Sequence, residues 1–193
     1  MKIKKIWKKA WYFIWEDDSW LSWVVNIILA FVLVKFIIYP GLGLMLGTKF
    51  PVVAVVSSSM EHNGMDFDSW WDIRKDEYEK FNISREEFLE YKFKNGFNAG
   101  DLMVLVGADE LEKGDSLVFK GDAPGPIIHR IVKVDETNGM IYVQTMGDNP
   151  ETNRGSRPDE FGITEDRIAG KAVFRIPYLG WVKLGFLKII GKA

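Results

Sequence analysis

Three hydroxyls in a row end an apolar run. Pro51 to Asn63 reads PVVAVVSSSMEHN, and its valines stop at Ser57, Ser58 and Ser59. A serine hydroxyl is a weak nucleophile until a base takes its proton. The chain has two histidines to offer, His62 and His129. His62 follows the serines in a polar loop and is expected to be a solvated loop histidine. His129 sits inside PIIHRIVKV, an otherwise apolar strand, where a lone histidine is most often a satisfied polar group. A second feature favours chemistry. The stretch GDNP, Gly147 to Pro150, follows the next strand. A serine, a histidine and Asp148 thus fall at successive strand ends, the parts of a nucleophile, a base and an orienting carboxylate. The competing reading of Asp148 is a turn-forming Asp-Asn pair.

Those residues need a frame. From Pro51 onward short apolar runs alternate with turn residues, as strands do. The runs are VVAVV, DLMVLV, DSLVFK, PIIHRIVKV, MIYVQT and AGKAVFRI, and Asn138-Gly139 is a strong hairpin signal. Between Ser69 and Asn95 the period turns helical. Ser84-x-x-Glu87 fits a capping box before an apolar face, and SWWDIRKDEYEKF before it reads as another helix. A helical insertion over 61–97 is therefore expected within a β domain. Phe67, Trp70, Trp71, Tyr78, Phe81, Phe88, Tyr91 and Phe93 crowd into it. They pack on the β domain, or else Trp70 and Trp71 face the membrane interface or flank substrate entry.

Trp20 to Tyr39, WLSWVVNIILAFVLVKFIIY, is almost wholly apolar. About 20 helical residues at ~1.5 Å each cross a hydrocarbon core of ~30 Å. Lys35 is its one charge, placed where its stem can snorkel. Before it, Ile3, Ile6, Trp7, Ala10, Trp11 and Ile14 recur at helical spacing with lysines opposite, the pattern of an interfacial helix. The first eleven residues carry five lysines and no acid, which places this end on the cytoplasmic side. The segment YLGWVKLGFLKIIGKA at the other end is apolar with spaced lysines and reads as interfacial.

Composition narrows the classes. The net charge of −2 gives no basic field for nucleic acid. The absence of cysteine removes disulfides, Cys-zinc sites and thiol nucleophiles together. No cofactor and no metal are expected. Aromatics at 14%, with eight tryptophans, suit a membrane interface.

The blocks VVSSSM, GDLMVL, GDSLVFK, IIHRIV, TMGDNP and IAGKAVFRIPYLGWV, in that order, resemble type I signal peptidases of the archaeal and endoplasmic-reticulum branch. The resemblance covers about Gly41 to Val182 apart from the insertion. It implies Ser59, the serine before Met60, as nucleophile and His129, before Arg130, as general base. Ser57 is implied as an oxyanion donor beside the Ser59 N–H. Asp159 is the favoured partner of His129, with Asp148 as an auxiliary or loop-organising carboxylate. Val55 and Val56 are expected to wall shallow pockets for small side chains. Ser58 departs from the family, where glycine usually stands.

The expected fold class is mainly β: a signal-peptidase-like β domain with a helical insertion and an N-terminal transmembrane helix. The expected domains are a basic amphipathic segment over 1–19, a transmembrane helix and linker over 20–46, a catalytic β domain over 47–182, and an interfacial segment over 183–193. The function implied is that of a membrane-anchored serine endopeptidase removing signal peptides from exported preproteins. Its partners would be those signal peptides, the lipid bilayer and the protein-export machinery. The chain is expected to pass the cell membrane once, with the N-terminus cytoplasmic and the catalytic domain outside. The alternative is a non-catalytic, membrane-tethered binding module on the same scaffold. A self-cleaving repressor of the related β fold is disfavoured by the anchor and by the lack of a DNA-binding segment.

Overall fold

The computed structural model describes residues 2–122, 125–152 and 160–189. It divides into two compact units, Met1–Met45 and Leu46–Ala193. In the first, α1 (Lys2–Trp15) precedes α2 (Trp20–Leu33). A π-helical stretch, Val34–Ile38, and α3 (Tyr39–Leu46) extend α2 into one helix of 27 residues, long and apolar enough to cross a membrane. At ~1.5 Å per residue it reaches ~40 Å, more than a ~30 Å hydrocarbon core requires.

The polar residues inside this apolar helix have local work. Ser19 caps its start by accepting a hydrogen bond from Ser22 N. Ser22 Oγ donates to Phe13 O, and Asn26 Nδ2 donates to Ile14 O at 2.8 Å. Both therefore satisfy carbonyls that the end of α1 leaves without partners. The Lys35 ammonium lies over the rings of Phe31 and Phe36. Along α1, Ile3, Ile6, Trp7 and Trp11 are all exposed, so its apolar face remains open.

In the second unit, each of the six apolar runs forms a strand. These are β1 (Val52–Ala54), β2 (Leu102–Val106), β3 (Ser116–Lys120), β4 (Pro126–Thr137), β5 (Met140–Met146) and β6 (Ile168–Ile176). They make one sheet in the order β1-β2-β6-β3-β4-β5 with every pairing antiparallel. The mainly β fold class expected from the sequence is observed. The β4–β5 hairpin turns on Asn138 and Gly139, both at positive φ (54° and 74°), as a type I′ turn demands.

Two helices, α4 (Phe67–Glu79) and α5 (Arg85–Glu90), fill the insertion. Asp66 caps α4 by accepting from Ser69 N, and Ser84 caps α5 by accepting from Glu87 N. Only that half of the expected capping box forms, because Glu87 Oε1 instead accepts from Tyr91 OH. Trp70, Trp71, Tyr78 and Phe88 are buried with Val132 of β4 and Met146 of β5. Complete burial of such a side chain contributes on the order of 1.5–3 kcal/mol. The insertion is thus a second core layer on one end of the sheet. Rings buried this way do not face lipid headgroups, which corrects the interfacial reading of Trp70 and Trp71. After β6, α6 (Gly180–Ile189) begins with Trp181 and Val182 exposed.

Candidate active site

Edge strand β1 delivers the serines. Its ladder continues one residue past Ala54, where Val55 N donates to Asp101 O and Val55 O accepts from Gly100 N, both at 2.8 Å. The strand then ends. Val55 points into an apolar cluster and is buried, while Val56 is exposed. A tight turn follows, closed by Glu61 N donating to Ser58 O at 3.0 Å. Met60 re-enters the cluster that holds Val55, Val118 and Ile128. The serines are therefore pinned between two buried anchors at the lip of that cluster.

Ser57 and Ser59 are brought together, their hydroxyl oxygens 3.1 Å apart. Ser58 contributes its carbonyl instead, accepting from Asn149 Nδ2 at 2.7 Å, while Asn149 N donates to Ser59 O at 2.9 Å. One buried asparagine thus holds two consecutive carbonyls of the serine turn. Asn149 was not singled out in the sequence, although it stands next to Asp148.

His129 lies on β4 opposite Leu117 of β3, buried, with the Phe119 ring edge-on to it. Glu160, also fully buried, places Oε1 2.8 Å from Nδ1. The contact is close, but Nδ1 makes no aligned hydrogen bond among the described residues. Nε2 has no hydrogen-bond partner among the described residues. Asp159, the partner expected from the sequence, lies outside the described residues, and its neighbour Glu160 went unnoticed. The pair Asp159-Glu160 offers two adjacent carboxylates, and residue type alone does not say which one turns inward.

Asp148 meets a different set of groups. Its oxygens accept from Arg130 Nε at 3.1 Å and Arg130 Nη2 at 2.6 Å, and from Tyr78 OH at 2.7 Å. His62 Nε2 stands 3.5 Å away. Burial alone would raise the Asp148 carboxyl, but the Arg130 guanidinium and the facing His62 outweigh it and hold it well below the usual carboxylate range. Burial, with the Asp148 charge, pushes the Tyr78 phenol up. The remaining Arg130 donors go to Lys92 O, Phe93 O and Gly114 O. Asp148 is thus the buried counter-ion of Arg130.

His62 is not solvated as its polar loop suggested. It is buried and stacks on Trp70 with ring centroids 3.8 Å apart and planes 5° from parallel. The cause is tertiary: α4 folds back over the loop.

Ser59 and His129 share no hydrogen bond in this structure. They are linked through neighbours, since Met60 and Ile128 belong to one apolar cluster and Asn149 bridges the serine turn to the Asp148–Arg130 pair. A separate groove of about 1190 Å³ lies beside β1, lined in part by Phe50, Val53, Val118, Phe119, Pro126 and Ala169. Val53 and Val118 also pack at the cluster, so this groove adjoins the serine end of β1.

No protein-family model matches the chain. The signal peptidase complex catalytic subunits of Homo sapiens and Mus musculus are each 29% identical to it over 153 residues, which is 76% of this chain. The match spans 62% of the length of those relatives. The corresponding subunit of Lachancea thermotolerans is 27% identical over 156 residues, covering 77% of this chain and 73% of that protein. Signal peptidase I W of Bacillus subtilis is 31% identical over 72 residues, 36% of this chain and 38% of its own length. At modest identity, these similarities support a signal peptidase family for this chain.

Proposed function

We propose that the chain is a membrane-anchored serine endopeptidase that removes signal peptides from preproteins. The observation that carries this reading is the state of His129. A buried carboxylate faces its Nδ1 and its Nε2 has no hydrogen-bond partner among the described residues, on a strand whose Ile128 shares a cluster with Met60, the neighbour of Ser59. A general base needs one oriented nitrogen and one available nitrogen.

In the proposed reaction Ser59 Oγ attacks the scissile carbonyl and gives its proton to His129 Nε2. Glu160 stabilises the imidazolium that forms. The Ser59 N–H and the Ser57 hydroxyl, already 3.1 Å from Ser59 Oγ, donate to the developing oxyanion. His129 then protonates the leaving amine, and water resolves the acyl-enzyme by the same steps in reverse.

The preprotein would lie extended along the free side of β1 and pair through its backbone, with Val55 lining the pocket wall. The apolar helix Trp20–Leu46 would anchor the enzyme in the cell membrane, N-terminus inside, where signal peptides emerge. The export machinery is a candidate partner there. The non-catalytic alternative gains no support. Incubating the detergent-solubilised chain with a preprotein tests the reading, with Ser59→Ala as control. Cleavage that survives in Ser59→Ala would overturn it.

A further inference from the structure

We infer that the helical insertion is a positioning device for the Ser59 turn and that His62 closes the circuit between them. This rests on the proposed role of Ser59. Trp70, Arg74 and Tyr78 fall at i, i+4 and i+8 on α4, one stripe of the helix. All three grip the loop after β5. Trp70 Nε1 donates to Asp148 O at 2.9 Å, Arg74 Nη2 to Gly147 O at 2.8 Å, and Tyr78 OH to Asp148 Oδ1 at 2.7 Å. The next residue, Asn149, holds the Ser58 and Ser59 carbonyls.

The return path is His62, three residues beyond Ser59. Its ring lies flat on Trp70. On another side it meets Gly96, at φ +67°, where an added Cβ would come within 2.7 Å of the ring. The carbonyl of Met60 accepts from Phe97 N at 3.1 Å, so the turn is fixed on that side too. Helix α4, the 147–149 loop, the serine turn and His62 form a closed ring of contacts that returns to Trp70. Both nitrogens of His62 are buried without a hydrogen bond among the described residues. His62 Nε2 stands 3.5 Å from Asp148 Oδ2, whereas the stack on Trp70 is the contact that a flat ring without nitrogens would keep.

That distinction sets the test on the detergent-solubilised chain. His62→Ala removes the stack and is expected to lower kcat for a preprotein at least tenfold with KM unchanged. His62→Phe keeps a flat ring on Trp70 and is expected to restore kcat to within threefold. Amide hydrogen exchange read by mass spectrometry provides a measure that needs no activity. In His62→Ala, exchange should rise in 57–63 while β4 and β5 keep their protection. The inference is overturned if His62→Ala keeps kcat within twofold, or if exchange rises equally across β3, β4 and β5. It is also overturned if His62→Phe, with an unchanged melting temperature, is as impaired as His62→Ala. Failure of Ser59 as nucleophile would appear instead as cleavage by Ser59→Ala, with the exchange result intact.

Discussion

Glu160 sets a carboxylate oxygen 2.8 Å from His129 Nδ1, with both side chains buried. The charge faces the nitrogen that does not exchange a proton with Ser59 in the proposed reaction. Glu160→Gln is therefore expected to lower kcat by about 10²-fold or more, since an amide stabilises an imidazolium poorly. Asp159→Asn serves as the comparison, and kcat of both variants on one preprotein decides the role. A larger loss in Asp159→Asn would return the partner role to Asp159.

The serines separate by function. Ser59→Ala should abolish cleavage without lowering the melting temperature, because a small residue replaces a small one at a turn. Ser57→Ala should lower kcat by about 10²-fold, the loss typical of one oxyanion donor. Ser58→Ala should be close to neutral, because Ser58 contributes its carbonyl, and its hydroxyl makes no hydrogen bond among the described residues. A silent Ser57→Ala beside an inactive Ser58→Ala would reverse these assignments.

Acid should weaken the fold through Asp148. Its carboxyl is held below the ordinary value of ~3.9 in the folded state. The unfolded chain therefore takes up the proton first as pH drops. The stabilisation is complete above that ordinary value and is lost as pH falls toward the folded one. Asp148→Asn strands the buried Arg130 charge and should cost about 3–5 kcal/mol at neutral pH. Its melting temperature should also depend less on pH between 5 and 3 than that of the parent chain. Parallel curves for the two proteins would remove Asp148 from the acid response.

Trp70 and Trp71 act as core. Trp70→Ala with Trp71→Ala should lower the melting temperature sharply, at about 3–5 kcal/mol for each large side chain lost. The double variant should impair cleavage of membrane-embedded preproteins and short soluble peptides alike. A selective loss on membrane-embedded substrate, with an unchanged melt, would restore the interfacial reading.

The local signals in the sequence were the readable ones. The signals for all six strands, the Asn138-Gly139 turn and the Ser84 cap each lie within a few residues of sequence, and each element stands where the pattern put it. His62 was misread because its burial comes from Trp70, which reaches it only after α4 folds back. The contact of Glu160 with His129 is not legible either, because adjacent acids look alike in sequence and burial is decided by packing. The carbonyl-holding role of Asn149 is equally invisible, since it depends on two strand ends meeting across the sheet.

Arg130 carries a last consequence, for how this sequence can change over time. Its five N–H groups make five hydrogen bonds, to both oxygens of Asp148 and to the carbonyls of Lys92, Phe93 and Gly114. Lysine has three donors on one atom and cannot reproduce a planar fork. Every substitution at 130 therefore leaves buried acceptors unmatched, and replacing any one partner does not relieve the others. Position 130 cannot drift by small steps. A lineage that leaves arginine there has to rebuild the β4–β5 end and the insertion together.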